Sequence, residues 1–293
     1  MSLINTVING LRLGSVYAII ALGYTMVYGI AKMLNFAHGD VIMIGGYLCF
    51  IAANSLGLGT VPAIVIAMFG CTVLGIMIER LAYKPLRSAS SLAVLITAIG
   101  VSYFLQNAAL LLWGSDPKVF PVLIELPALE LFDGRLHIPG MSLLTIGVCI
   151  VTMITLTLFT EKTKLGKAMR AVSEDKGAAQ LMGINVDATI SATFAIGSCL
   201  AAIAGVLLCS SYRVLDPTTG SMPGIKAFTA AVFGGVGSIP GAMVGGILLG
   251  VIEIACNAYI STELSNAIVF AVLIIVLLVK PTGLLGKPIQ EKV

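Results

Sequence analysis

Long apolar runs constrain this chain more than any other feature of its sequence. Most of them approach or exceed the ~20 consecutive apolar residues that an α-helix needs to cross a bilayer. Only 11% of the residues are charged, whereas a soluble domain carries about 25% charged residues. The sequence therefore predicts one all-α domain, 1–293, built as a polytopic transmembrane helix bundle with about eight or nine spanning segments. The runs lie at about 10–31, 33–53, 61–79, 92–113, 141–160, 188–211, 224–237, 242–260 and 264–279.

Two glycine-rich breaks interrupt adjoining apolar runs. One lies at 29–46 near the start of the chain, and the other lies at 234–246 near its end. Paired interruptions of this kind indicate broken or re-entrant helices around a transport pathway, although glycine is also frequent in ordinary membrane helices. The run at 224–237 is short. If it crosses the membrane there are about nine spans with the N-terminus outside, and if it is re-entrant there are about eight.

The basic residues are unevenly distributed among the polar loops. Most of the 17 lie in three loops, at 80–91, 161–187 and 280–293, whereas the loops at 114–139 and 212–223 hold few. Because cytoplasmic loops of membrane proteins carry an excess of lysine and arginine, the first three loops are predicted to be cytoplasmic. The long outer loop at 114–139 has room for a short hairpin or helix.

The loop at 161–187 contains a short helix with recognisable ends. Ser173 is a suitable N-cap, Glu174 falls in the first turn, where the helix dipole favours acids, and Gly183 can take the left-handed conformation after the last turn. A helix of about nine residues is too short to be stable alone. It is predicted either to lie on the lipid headgroups or to dock in a groove of a partner protein.

Polar side chains at the second run are expensive to place in lipid. Asn35, His38 and Asp40 lie together near its predicted cytoplasmic end. Charged groups inside membrane proteins usually face the bundle interior or water and mark a pathway. One hypothesis is therefore a gate or pathway lining, and the other is a helix-capping cluster at the interface.

Two more runs carry polar interruptions. Gln106 and Asn107 lie in the fourth run. Glu253 and Asn257 lie four residues apart in a later run and therefore share one helix face. Each pair is interpreted either as part of the translocation pathway or of a subunit interface, or as a buried group bonded to a neighbouring helix.

No pattern for catalysis or for a resident cofactor is present. Gly166-Lys167 lacks both the upstream glycine and the following hydroxyl of a P-loop, so ATP would have to be bound by another polypeptide. Ala37-His38-Gly39-Asp40 lacks the first glycine of an intramembrane aspartyl protease motif. Such a protease needs two carboxylates close together, and the only other aspartate near a spanning run is Asp187, at a predicted helix end. The two histidines, His38 and His137, lie on different segments, and no cysteine forms a C-x-x-C pair, so no metal site is expected.

Five motifs together resemble those of the LivH-type permease subunits of high-affinity branched-chain amino acid ABC importers. They are G-Y-T-M-V-Y-G at 23–29, L-N-F-A-H-G-D at 34–40, A-x-x-E-x-x-x-A-A-x-x-x-G-I at 171–184, G-G-V-G-S-I-P-G at 234–241 and P-T-G-L-L-G at 281–286. The resemblance covers nearly the whole chain. It implies a multi-pass protein of the bacterial inner membrane that is not itself an enzyme.

The resemblance also implies partners and a docking element. In this family the permease works with a second, homologous permease subunit, two cytoplasmic ABC ATPases that bind ATP, and a periplasmic binding protein that delivers leucine, isoleucine or valine. The short loop helix would plug into an ATPase. Its coupling residues would be Ala171, Glu174, Ala178, Ala179, Leu181, Met182 and Gly183.

Two alternative functions stay open at this point. A permease of the same kind could carry urea, short amides or other amino acids, because selectivity in this family resides largely in the binding protein. An ion-coupled secondary transporter would need no ATPase, and Asp40 and Glu253 would then be its first candidates for ion coupling.

Overall fold

The computed structural model describes residues 2–87, 89–131 and 136–286. Helices dominate these ranges, because a helix satisfies its backbone hydrogen bonds internally where no water is available. The helices are α1 Ser2–Ala31, α2 His38–Phe50, α3 Thr60–Ile78, α4 Ser91–Trp113, α5 Gly140–Lys162, α6 Lys164–Glu174, α7 Lys176–Leu181, α8 Val186–Tyr212, α9 Ser221–Gly234, α10 Ile239–Tyr259 and α11 Thr262–Val279. Ile51–Ser55 and Glu79–Tyr83 are π-helical extensions, and Lys84–Leu86 forms a 3₁₀ turn.

Seven helices in the described ranges are long and apolar enough to cross a membrane. They are α1, α3 with its extension, α4, α5, α8, α10 and α11. The remaining two predicted runs form shorter helices, since α2 has 13 residues before its π-helical extension and α9 has 14. The predicted all-α polytopic bundle is therefore confirmed, and the seven full-length helices and two short ones roughly fit the eight or nine predicted segments.

Both glycine-rich breaks are present. The chain leaves the helical conformation between the end of α1 at Ala31 and the start of α2 at His38. It does so again between α9 and α10, where Gly235 and Gly237 have φ angles of 109° and 89°. Such angles favour glycine, which has no Cβ to clash with the backbone.

Short strands lie in the loops that were predicted to be outside. β1, Lys118–Val119, pairs antiparallel with β4, Val214–Leu215. This pairing places the loops at 114–139 and 212–223 on the same side, as the charge distribution predicts. A second antiparallel pair, β2 Leu129–Leu131 with β3 Leu136–Ile138, confirms a hairpin within the loop at 114–139.

The described residues form two compact units, each assembled from separated segments. The first unit comprises residues up to 25, 126–154 and from 226 onward, and the second comprises 26–125 and 155–225. The expectation of a single permease domain, 1–293, stays a prediction.

Small residues set the packing of α1 against α10 in the first unit. A Cβ on Gly250 would lie 2.2 Å from the backbone of Gly14, and a Cβ on Gly246 would lie 2.4 Å from the backbone nitrogen of Ala18. Glycine and alanine spaced four residues apart let two membrane helices approach closely. The two helices therefore touch along their backbones, where larger side chains would hold them apart.

The second unit is built around α2, which packs against α3 and α8. A Cβ on Gly45 would lie 2.8 Å from the Cα of Ala202, and a Cβ on Gly205 would lie 2.3 Å from the carbonyl oxygen of Ile42. Small residues of α8 therefore let its backbone approach that of α2 closely. At one end of this core, the buried ring of Tyr47 stacks on Trp113 with the ring centroids 4.2 Å apart.

Candidate functional site

A buried polar cluster lies where α2 begins. Asp40 is in the first turn of α2 and is 2% exposed. The side-chain amide of Gln106, on α4, donates to Asp40 Oδ1 at 2.9 Å and also contacts Ser102 Oγ at 3.3 Å and Ser221 Oγ at 3.2 Å. Gln106 therefore connects α2, α4 and the first residue of α9. We call Asp40, Ser102, Gln106 and Ser221 the Asp40 cluster.

The backbones of two chain segments touch beside this cluster. A Cβ on Gly220 would lie 1.8 Å from the carbonyl oxygen of Gly39, and a Cβ on Gly39 would lie 2.7 Å from the carbonyl oxygen of Gly220. The first residues of α2 and α9 are thereby held next to each other. Because a helix N-terminus carries partial positive charge, the two helix starts favour a negative group here, and the carboxylate of Asp40 lies in the first turn of α2.

The other predicted pathway residues near α2 have different surroundings. Asn35 is buried, and its Oδ1 accepts a hydrogen bond from Tyr83 Oη at 2.9 Å, outside the Asp40 cluster. His38 is buried as the first residue of α2. Asn107, next to Gln106, is exposed, and its amide donates to the carbonyl oxygen of Tyr103 at 2.7 Å. The structure brings together Asp40 and Gln106 but does not bring Asn107 to them.

Glu253 belongs to a second buried polar group, in the first unit. Lys226 Nζ lies 2.6 Å from Glu253 Oε1, and Tyr17 Oη donates to Glu253 Oε2 at 3.0 Å. Lys226 and Glu253 are each 7% exposed. Glu253 is therefore a buried carboxylate whose two oxygens both have polar partners. Asn257 Oδ1 is buried and has no hydrogen-bond partner within the part of the chain that the structure describes.

Sequence reasoning missed Lys226, which lies in an otherwise apolar segment. A lone lysine in such a run is costly unless it has a counter-ion. This cost alone could have indicated that Lys226 pairs with a buried carboxylate. The identity of the counter-ion was not readable, because Glu253 lies on a different helix. Sequence reasoning also missed the ion pairs of Glu79, Arg87 and Asp187, which lie at the ends of apolar runs.

The loop at 161–187 differs from its prediction at the N-cap of the short helix. Ser173 and Glu174 belong to α6, and the hydroxyl of Ser173 donates to the carbonyl oxygen of Arg170 at 2.7 Å. The N-cap of α7 is Asp175, whose side chain accepts from the backbone N–H of Ala178 at 3.0 Å. The Ser173 cap is therefore wrong, and α7 has six residues rather than about nine.

The rest of the predicted coupling segment has a clear exposed side. Leu181 is 90% exposed and Met182 is 82% exposed, whereas Ala179 is 3% exposed. Gly183 follows with a φ angle of 82°, as predicted for the residue that ends this helix. Glu174 and Ala178 are also exposed, and Ala171 is half-buried. Two large apolar side chains on a short helix are thus presented to the surroundings.

Lys176 fixes the first turn of α7 to the end of α1. Its Nζ donates to the carbonyl oxygen of Ala31 at 3.0 Å. Burial lowers the pKa of the Lys176 ammonium, and the nearby charges of Arg87 and Lys32 lower it further. The contact with Ala31 satisfies one donor of this partly desolvated ammonium group.

The described residues contain no cluster of three or more histidine, cysteine, aspartate or glutamate side chains that could hold a metal ion. Each of the six cysteines is a free thiol, and five of them are buried. The polar groups of the two clusters can accept and donate hydrogen bonds and can balance charge. Such groups suit binding and passage of a polar solute through a helix bundle.

Long apolar helices with a few buried polar groups define a multi-pass membrane protein of the transport class. The family model described as "Branched-chain amino acid transport system / permease component" matches residues 6–277. The chain belongs to this family, and the resemblance drawn from its motifs is confirmed. Its location in the bacterial inner membrane follows from the seven apolar helices and from its relatives.

Several relatives cover nearly the whole chain. The high-affinity branched-chain amino acid transport system permease protein BraD of Pseudomonas aeruginosa is 48% identical over 98% of this chain and 96% of its own length. The permease protein LivH of Escherichia coli K12 is 47% identical over 97% of this chain and 96% of its own length. A probable LivH of Methanocaldococcus jannaschii is 27% identical over 92% of this chain.

Proposed function

We propose that this chain is the permease subunit of an ATP-driven importer of leucine, isoleucine and valine. The observation that carries the proposal is its near full-length identity of 47–48% to permeases named for branched-chain amino acid transport. The partners of this proposal are a second homologous permease subunit, two ATPases that bind and hydrolyse ATP, and a periplasmic binding protein. The permease itself needs no cofactor.

The Asp40 cluster is proposed to line the translocation pathway. A travelling amino acid carries one positive and one negative group, so it needs a polar surface in an otherwise apolar bundle. The cluster offers a carboxylate, an amide and hydroxyls at the adjoining starts of α2 and α9, where helix dipoles also act. A small number of weak contacts suits transport, because a pathway must release what enters it.

Uptake of radiolabelled leucine tests the substrate. The chain would be produced with its neighbouring subunits in a bacterial strain that lacks its own branched-chain amino acid import. We expect ATP-dependent leucine uptake that excess unlabelled isoleucine or valine inhibits. Inhibition by urea or by a short amide instead would identify a different substrate. Uptake that persists when the ATPase subunits carry an inactivating P-loop substitution would identify a secondary transporter.

The exposed apolar pair of α7 is proposed to anchor the ATPase. Replacing Leu181 and Met182 together by serine should reduce the ATPase recovered with the permease by about tenfold, because buried apolar anchors carry most of an interface's binding energy. The change should leave the permease itself folded, since substitutions at such exposed positions usually alter stability by only about 0.5 kcal/mol. Co-purification in mild detergent measures this recovery.

Gln180→Ser is the matched control, because Gln180 is exposed on the same helix. Its ATPase recovery should equal that of the unmodified chain. Glu174→Lys reverses the charge of another exposed residue of the segment and should weaken docking by a smaller factor. Normal ATPase recovery in the Leu181→Ser, Met182→Ser variant would show that α7 is not the docking element.

A further inference from the structure

Arg87 lies between two carboxylates that come from different parts of the second unit. One nitrogen of its guanidinium pairs with Glu79 Oε1, and the other pairs with Asp187 Oδ1. Lys84 Nζ pairs with the second oxygen of Asp187 at 2.9 Å, and Ser191 Oγ donates to the second oxygen of Glu79 at 2.6 Å. We call Glu79, Lys84, Arg87, Asp187 and Ser191 the Arg87 hub.

The hub joins the end of α3 to the beginning of α8. Glu79 opens the π-helical extension of α3, and Asp187 lies in the first turn of α8. These helices are already in intimate contact further along, since a Cβ on Gly75 would lie 2.0 Å from Ser198 Oγ and 3.0 Å from the carbonyl oxygen of Phe194. A displacement of the first turn of α8 would therefore be passed to α3 through the hub.

Helix α7 is joined to the beginning of α8 by a very short connection. Residues 182–185 link it to α8, and Asn185 caps α8 by accepting from the backbone N–H of Ala188 at 2.9 Å. The other end of α7 is attached to α1 through the contact between Lys176 and Ala31. Movement of α7 therefore acts on the first turn of α8, two residues after its cap, where Arg87 binds Asp187.

We propose that Arg87 is a positioning residue that transmits the movement of α7 to the helix bundle, so that ATP hydrolysis is coupled to import. This inference rests on the proposed function as an ATP-driven importer. Arginine is suited to the role because its planar, permanently charged fork can bind two carboxylates at once, whereas a lysine ammonium acts as a single point charge. Glu79 is a fixed attachment point for Arg87, since its side chain is 0% exposed and also accepts a hydrogen bond from Ser191.

The charge balance of the hub separates a coupling role from a purely structural one. Removing Arg87 alone would leave the buried carboxylate of Glu79 without its cation, which destabilises a fold strongly. Replacing both Arg87 and Glu79 by glutamine removes both charges and the ionic link from Glu79 through Arg87 to Asp187, and it keeps the exposed pair of Lys84 with Asp187. Arg87→Lys keeps the positive charge and loses the fork.

The test uses the complete transporter in proteoliposomes, supplied with its binding protein, and it measures ATP hydrolysed per leucine imported. Arg87→Lys and the Glu79→Gln, Arg87→Gln double variant should each raise this ratio at least about threefold, a size typical of residues on a coupling network. Arg80→Gln is the matched control, because Arg80 directly follows Glu79 in the π-helical extension of α3 and is exposed. Its ratio should stay at the unmodified value.

Three results would overturn the proposal. The first is an unchanged ratio in both hub variants. The second is an equal rise in the Arg80→Gln control, which would show that net charge at this end of the bundle is the cause. The third is failure of both hub variants to assemble, which would show that Arg87 holds the fold together rather than coupling it. Failure of the unmodified transporter to import leucine is a separate outcome, and it would reject the proposed substrate and leave the hub to be tested with the true one.

Discussion

Alanine in place of Gly220 is expected to reduce leucine uptake by at least about tenfold, while the permease still folds and inserts. Its methyl group would lie 1.8 Å from the carbonyl oxygen of Gly39, so the two backbones would have to separate. Such overpacking costs about 1–3 kcal/mol, which a domain stable by about 5–15 kcal/mol survives. The separation would move Ser221 away from Gln106 and so disrupt the Asp40 cluster.

A graded series makes this prediction specific. Gly39→Ala should reduce uptake less, because its methyl group would lie 2.7 Å from the carbonyl oxygen of Gly220 and needs a smaller shift. Gly147→Ala should have no effect, because no heavy atom lies within 4 Å of the added Cβ. Radiolabelled leucine uptake, divided by the amount of permease in the membrane, measures all three. Full uptake by Gly220→Ala would show that the contact of these two helix starts is not needed for transport.

Removing either charge of the pair between Lys226 and Glu253 is expected to destabilise the permease by about 3–5 kcal/mol, because the other charge stays buried without a partner. Lys226→Met and Glu253→Gln should each lower the midpoint of thermal unfolding in detergent and the yield of monodisperse protein. Combining the two substitutions should restore most of the unfolding midpoint and most of the yield. The side-chain amide that Glu253→Gln introduces can still accept the hydrogen bond of Tyr17 through its carbonyl oxygen.

The double variant decides this second prediction. If its unfolding midpoint stays as low as that of Lys226→Met, an unpaired buried charge is not the cause of the lost stability. If it regains stability but not uptake, the charges themselves take part in transport. The control is Lys118→Met, which removes a lysine from the partly exposed strand β1, and its unfolding midpoint should match that of the unmodified chain.

The sequence predicted the membrane helices well because length and hydropathy alone decide them. It also located both helix breaks and some of the buried polar residues, including Asn35, Asp40 and Glu253, since glycine clusters and polar groups stand out in an apolar chain. It could not tell Gln106 from its neighbour Asn107. The run that holds them is apolar all round, so no polar face indicates which side chain points inward.

Local signals also failed where two residues offer the same chemistry. Ser173 and Asp175 are both good N-caps, and the choice between them depends on where α6 ends. Burial of Met169 and Val172 extends α6 as far as Glu174, which leaves Asp175 as the cap of α7. The pairing of Lys226 with Glu253 and the bridge made by Arg87 depend on contacts between distant helices, and a single sequence carries no record of such contacts.

The backbone contact between α1 and α10 bears on how the protein is made. Glu253 follows its partner Tyr17 by 236 residues, so at ordinary elongation rates of about 5–20 residues per second α1 waits about 10–50 s for α10 to leave the ribosome. Throughout that interval the glycine face of α1 and the hydroxyl of Tyr17 are without their final neighbours. Until α10 is made, that face of α1 can be covered only by lipid, by other segments of the chain or by the insertion machinery.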